Sequence, residues 1–146
     1  MPLQLPDPKV PYLYILMRSD LDSLNAGKMV AQGAHAANQF THDMDARIKK
    51  MDNNEPTSEF FLYNAWKTST PHGFGVTICL DVSGEQLPLV VSAAKRASFV
   101  AGVTHDPSYP LLDGKVLHLL PLDTCGYVFG DKSDLRILLG QFDLLK

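Results

Sequence analysis

At 146 residues, 45% of them hydrophobic, the chain can bury one good core, and a single domain over residues 1–146 is expected rather than two. A formal net charge of −3 excludes a global attraction to nucleic acid, so an RNA ligand would need a local cluster of basic residues. Two cysteines, Cys79 and Cys125, are too few for a disulfide framework and lack metal-ligand spacing.

Met1 to Pro11 holds four prolines and no apolar signal-peptide core, so residues 1–10 read as an irregular arm. No later segment is long enough to span a membrane, which makes a cytoplasmic soluble protein the default. Tyr12 to Met17 is an unbroken apolar run of strand length, as in a strand covered on both faces. After it, Met29, Gly33, Ala36, Phe40, Met44 and Ile48 recur at spacings of three and four and form the apolar stripe of a long helix. Asn25 is its expected N-cap, with Ser23 the alternative, and it fades near Met51 before a loop at residues 52–56. A shorter helix is expected over Ser58 to Lys67, with Phe60, Phe61, Tyr63 and Trp66 as packing residues.

Gly75 to Val82 is a β-branched run and predicts a second strand, with Cys79 an inert core thiol. Ser83 and Gln86 have the form of a capping box and open a helix to about Ala97. Phe99 to Val103 predicts a short third strand with a loop from His105 to Tyr109 beyond it, and Lys115 to Leu120 a fourth strand. Leu122 to Lys132, with Gly126 and Gly130, reads as a long loop. A helix beginning near Ser133 and closed by Gly140 follows, with Gln141 to Leu145 available as a last strand. Strands alternating with helices imply an α/β fold in which some neighbouring strands run parallel.

Lys28 falls in the opening turn of the first helix, where the helix dipole disfavours a cation by a few tenths of a kcal/mol up to roughly 1 kcal/mol. Beside free backbone N–H groups it would form an anion or oxyanion site; the plain alternative is a solvated lysine. Lys28, Gln32, His35 and Gln39 make one polar stripe at spacings of four, three and four. A solvated face explains such a row about as well as a cleft does. The small apolar residues between them, Val30, Ala31, Ala34 and Ala37, favour the cleft. Asp106, just past the third strand, stands where ligands of open α/β sheets gather, although a turn-forming Asp before Pro107 is the simpler reading.

The order RSDL from Arg18, GKMVAQGAHA from Gly27, Trp66 ahead of a glycine and a strand, Asp106, VLHLLP, and QFDLL after Gly140 resembles the type II peptidyl-tRNA hydrolases over nearly the whole chain. The block from Arg18 to Ala36 is the most specific part. The resemblance implies one three-layer domain, a mixed four- to five-stranded sheet with helices on both faces, that hydrolyses the ester joining a peptide to tRNA. It implies no metal and no cofactor, tRNA as the partner, and allows for a homodimer. By the same resemblance Lys28, Asp106, His35 and Gln32 are the catalytic candidates, and Arg18, Asp20, Asn25, Gly27, Ser108 and Lys115 the substrate-binding ones.

Departures from the family pattern matter too. Asp106 is followed by Pro107-Ser108-Tyr109-Pro110 instead of Ala-Gly-Arg-Thr, Lys115 stands for a threonine, and Leu122 to Lys132 is longer than the usual connection. Ser108 and Thr104 are the candidate replacements for the missing hydroxyls. A non-catalytic member of the fold, binding tRNA, a protein or a small anion, is the alternative function.

Overall fold

The computed structural model describes residues 3, 7–51 and 56–146. Strand β1 (Pro11–Arg18) lies inside a four-stranded sheet of order β2-β1-β4-β3. It pairs in parallel with β2 (Thr77–Val82) and antiparallel with β4 (Val116–Asp131), which pairs on its other side with β3 (Val100–Asp113). Its apolar run is explained by burial on both faces. Leu13, Ile15 and Met17 point to a core shared with helices α1 (Ala26–Met51) and α2 (Ser58–Lys67). Leu16 points to a second core against α3 (Gln86–Arg96) and α4 (Lys132–Leu139). The three-layer α/β expectation is met, with four strands.

The local signals act as their chemistry dictates. Asn25 Oδ1 accepts from the Lys28 amide at 3.1 Å, so Asn25 caps α1, and Lys49 and Lys50 complement the dipole at its other end. Ser83 and Gln86 exchange both capping-box bonds, at 3.1 and 2.9 Å. At the end of α3 the amides of Ser98 and Phe99 donate to the carbonyls of Lys95 and Ala94, a Schellman close that holds Ser98 at φ 68°. Phe40 of α1 is fully buried among the rings of Tyr63, Trp66, Tyr127 and Phe129. Its loss to alanine would cost about 3–5 kcal/mol.

Several expectations are corrected. The segment Leu122 to Lys132 is not a loop: up to Asp131 it is the second half of β4, the strand between β1 and β3, and Lys132 opens α4. Its glycines are sites of close approach. A Cβ on Gly126 would lie 2.7 Å from the Gly102 carbonyl, and one on Gly130 would lie 2.7 Å from the Phe99 ring. The third strand does not stop at Val103 but runs to Asp113, so His105 to Tyr109 is bulged strand rather than loop. Lys115 is in the turn between β3 and β4 instead of opening a strand.

Gly140 ends α4 at φ −64°, without the left-handed turn usual for a closing glycine. Asp131 caps the start of that helix by accepting from the Ser133 and Asp134 amides. Gln141 to Leu145 forms no strand, only a bridge between Leu144 and Leu80. β2 starts two residues later than expected, at Thr77; Gly75 is pressed against Trp66, and the Val76 carbonyl accepts from both the Leu13 amide of β1 and the Trp66 indole. Phe61, expected to pack, is 60% exposed. Of the loop expected at 52–56, residues 52–55 lie outside the described residues, as do residues 1, 2 and 4–6 of the N-terminal arm.

Candidate active site

Pairing between β1 and β4 ends at Met17 opposite Cys125, and Cys125 is opposite Thr104 on β3. Past that line β3 and β4 continue alone as a two-stranded arm, closed by a turn at Gly114, φ 59°. Two register shifts, at Thr104/His105 and at Asp106/Tyr109, interrupt the pairing at the arm's base. The bulges re-aim the side chains there. Asp106 is turned toward α1, while His105, its neighbour, pairs across the ribbon with Asp123 at 2.7 Å.

Gln32, one turn after Lys28 on α1, is 3% exposed and connects the helix to both strands. An ionised carboxylate only accepts hydrogen bonds, so the Gln32 Nε2 faces Asp106 Oδ2, at 2.7 Å. Its Oε1 is left to accept from the Thr124 hydroxyl at 2.6 Å, and Thr124 is fully buried. The Cys125 thiol donates to the Gln32 carbonyl at 3.4 Å. The other oxygen of Asp106 accepts the Ser108 amide at 2.8 Å. The Gln32 bond first, then the Ser108 amide and the nearby His35 and His105, hold the Asp106 carboxyl below the ordinary aspartate range, against a smaller opposing effect of burial. Asp106 is therefore an ionised, oriented acceptor.

Lys28 sends its ammonium along the same side of the sheet to the Pro110 carbonyl at 2.7 Å, 5.0 Å from the centre of the Tyr109 ring. Tyr109 is buried, and its hydroxyl meets Ser23 Oγ at 3.0 Å. The arm thus grips the lysine that the capped start of α1 presents. His35 is exposed on the helix face beside Asp106.

Arg18 and Asp20 hold each other through two bonds of 3.0 and 3.1 Å. Arg18 also donates to the Asp123 carbonyl, and Asp20 accepts the Gly84 amide. This brace fixes the end of β1 against the base of the arm, and the Arg18 pairing holds the Asp20 carboxyl down. Asn25 is committed to its capping bond, Gly27 is exposed in the first turn of α1, and the Ser108 side chain is exposed. Lys115 is at the tip of the arm, whereas Asp106 is opposite Leu122 at its base, so the fold does not bring Lys115 to the cluster.

Thr124 was invisible in the sequence because its segment carries loop-like glycines; read as a strand, the segment is continuously buried from Thr124 to Asp131, with Thr124 at the end next to the arm. Thr104 is also buried, and its hydroxyl has no partner among the described residues.

A family model described as peptidyl-tRNA hydrolase PTH2 matches residues 12–112. The chain belongs to this family. The match takes in Arg18, Lys28, Gln32, His35 and Asp106, and it ends at Leu112 on the outgoing side of the arm. Among curated proteins none matches the chain. In this member of the peptidyl-tRNA hydrolase family the mixed sheet lies between two pairs of helices. No helix among the described residues is long and apolar enough to cross a membrane.

Proposed function

We propose that this protein hydrolyses the ester between a peptide and the terminal ribose of tRNA, in the cytoplasm, releasing the peptide and free tRNA. The observation that carries the reading is the chain of bonds from Thr124 to Gln32 to Asp106, in which Gln32 is on the same helix as Lys28 and one turn from it. Asp106, held ionised, accepts a hydrogen bond from the attacking water and orients it toward the ester carbonyl. Its lowered proton affinity makes it a weak base, so its larger contribution is placing the nucleophile within reach of the carbon. Lys28, held by the Pro110 carbonyl through one of its three N–H donors, offers the others to the developing oxyanion or the leaving ribose oxygen, where a positioned cation is worth most in the transition state. Gln32 holds Asp106 in position, and His35, exposed beside it, meets the terminal nucleoside. Thr124 supplies the buried hydroxyl that anchors Gln32. Lys115 has no part in this scheme.

Family membership and this geometry together support catalysis over binding alone. The test is release of labelled peptide from an N-blocked aminoacyl-tRNA by purified protein. Lys28→Ala and Asp106→Asn should each slow turnover by roughly a hundredfold, the usual scale for losing a charge stabiliser or a water-orienting group. Wild-type protein without activity, or active variants of both kinds, would reject the assignment.

A further inference from the structure

Of the two faces of the arm, one continues the floor of the site. Tyr109 turns its hydroxyl to Ser23 and its ring to Lys28, on the α1 side of the ribbon, and Leu120 is its partner across the strand pair. The pairing runs without a shift from Tyr109 and Leu120 to Asp113 and Val116. Alternation therefore puts Leu111, His118, Asp113 and Val116 on this same face, and Pro110, Leu112, Leu117 and Leu119 on the other. The cover that the start of α1 and the loop before it give the arm ends at Tyr109. That residue is 1% exposed, whereas Leu120 beside it is 41% and Val116 58% exposed, and Leu111 is half-buried.

This apolar shelf begins where the ester has to sit. The carbonyl that holds the Lys28 ammonium is that of Pro110, bonded directly to the Leu111 nitrogen. Leu120 is about 5 Å from Tyr109, the usual Cβ separation of residues paired across two strands. Gln32 meets Asp106 while Lys28 meets Pro110, so α1 and β3 run in opposite senses and His35 lies toward the base of the arm. An ester carbonyl at Lys28, with its water at Asp106, then has the shelf within a side chain's length toward the tip and His35 in the other direction.

Charge decides which half of the substrate goes which way. The nucleotide brings phosphates, and at the tip the exposed carboxylate of Asp113 is met by His118 at 3.8 Å and by Lys115 in the turn, which leaves no surplus of positive charge to hold one. From Ala34 to His42 α1 carries no carboxylate and exposes His35, Asn38 and His42 as polar partners. The acyl side chain needs no charge and gains by covering apolar surface. We propose that Leu111, Val116 and Leu120 receive the side chain of the residue whose carboxyl is esterified to the ribose, making the enzyme selective for peptides that end in a bulky apolar residue. The proposal rests on the hydrolase reading above and adds to it the direction in which the substrate lies.

The test compares N-acetyl-leucyl and N-acetyl-glycyl esters on one tRNA body, with kcat/KM measured for wild type, Leu120→Ser and Leu119→Ser. Differences in intrinsic ester reactivity cancel when each variant is divided by wild type. Leu120→Ser should lower kcat/KM for the leucyl ester about tenfold, the scale of losing part of an apolar subsite, and leave the glycyl ester within twofold. Leu119→Ser, one residue away on the opposite face and 61% exposed, should leave both esters unchanged, which separates the shelf from any general effect of a serine in β4. Equal slowing of both esters by Leu120→Ser, or no slowing of either in an active enzyme, would overturn the placement of the peptide and leave the catalytic reading standing. Wild-type protein inactive on both esters would remove the catalytic reading and the shelf's role with it.

Discussion

Thr104 and Thr124 are both buried at the sheet end beside the site, and the same substitution should affect them in opposite ways. In Thr124→Val the hydroxyl that donates to Gln32 Oε1 at 2.6 Å is replaced by a methyl of nearly equal volume. Gln32 is 3% exposed, so its oxygen is left without water or partner. An orphaned buried acceptor costs about 1–3 kcal/mol, and at this chain length each kcal/mol lowers the melting temperature by about 2–4 °C. In Thr104→Val the deleted hydroxyl already lacks a partner among the described residues, so the change should be neutral or stabilising by up to about 1 kcal/mol. The pair controls for the shared effects of valine on strand propensity and packing.

Urea unfolding of both variants, followed by fluorescence of the single Trp66, gives the two free energies. Peptide release should fall about tenfold in Thr124→Val, because Gln32 loses the anchor that aims it at Asp106, and stay near wild type in Thr104→Val. Adding Gln32→Leu to Thr124→Val removes both polar partners, so the double variant should recover most of the lost stability without recovering activity. Equal destabilisation by the two valines would refute the assigned hydrogen bonding, and full activity in Thr124→Val would refute its link to the site.

The remaining expectations concern pH and backbone geometry. Asp20 and Asp106 both have lowered folded-state proton affinities, so the stability they lend is complete above the unfolded aspartate value of about 3.9 and is lost as pH falls through the lower folded values. A pH profile of kcat/KM should accordingly show no acid limb from Asp106 above about pH 4, and Gln32→Leu should move that limb upward by removing the largest stabilising bond. Gly126→Ala should destabilise by about 1–3 kcal/mol in thermal unfolding, because the new Cβ meets a backbone carbonyl that cannot yield. Ser98→Gly should stabilise by roughly 0.5–1 kcal/mol, since it relieves a left-handed residue while keeping the Schellman bonds. The Cys79 thiol, pushed up to about 11 by burial, should not react with a disulfide reagent at neutral pH in the native protein.

Elements whose stability is local were legible in the sequence. Asn25, Ser83 with Gln86, and the stripe from Met29 to Ile48 mark helices through bonds and spacings within a few residues. β4 was not legible, because Gly126 and Gly130 look like turn residues until it is known that Gly102, Leu87 and Phe99 press against them from other elements. The same holds for the site. Lys28, Gln32 and His35 share a helix face, and their alignment follows from period alone. The connection of Gln32 to Thr124 crosses ninety-two positions, and the aim of Asp106 depends on two bulges that no local pattern announces.

The placement of β4 has a consequence for how the chain acquires its structure during synthesis. Pro11 pairs with Asp131 across 120 positions, and the strand that joins β1 to β3 is made after every other strand. Until about residue 131 has left the ribosome, β1 and β2 can form a parallel pair flanked by helices, but one edge of β1 stays bare and the rings around Phe40 lack Tyr127 and Phe129. Such high contact order slows folding and lengthens the time in which an apolar edge is open to other chains. Truncation just before Thr124 should therefore yield not a slightly weakened protein but a nascent chain dependent on chaperones.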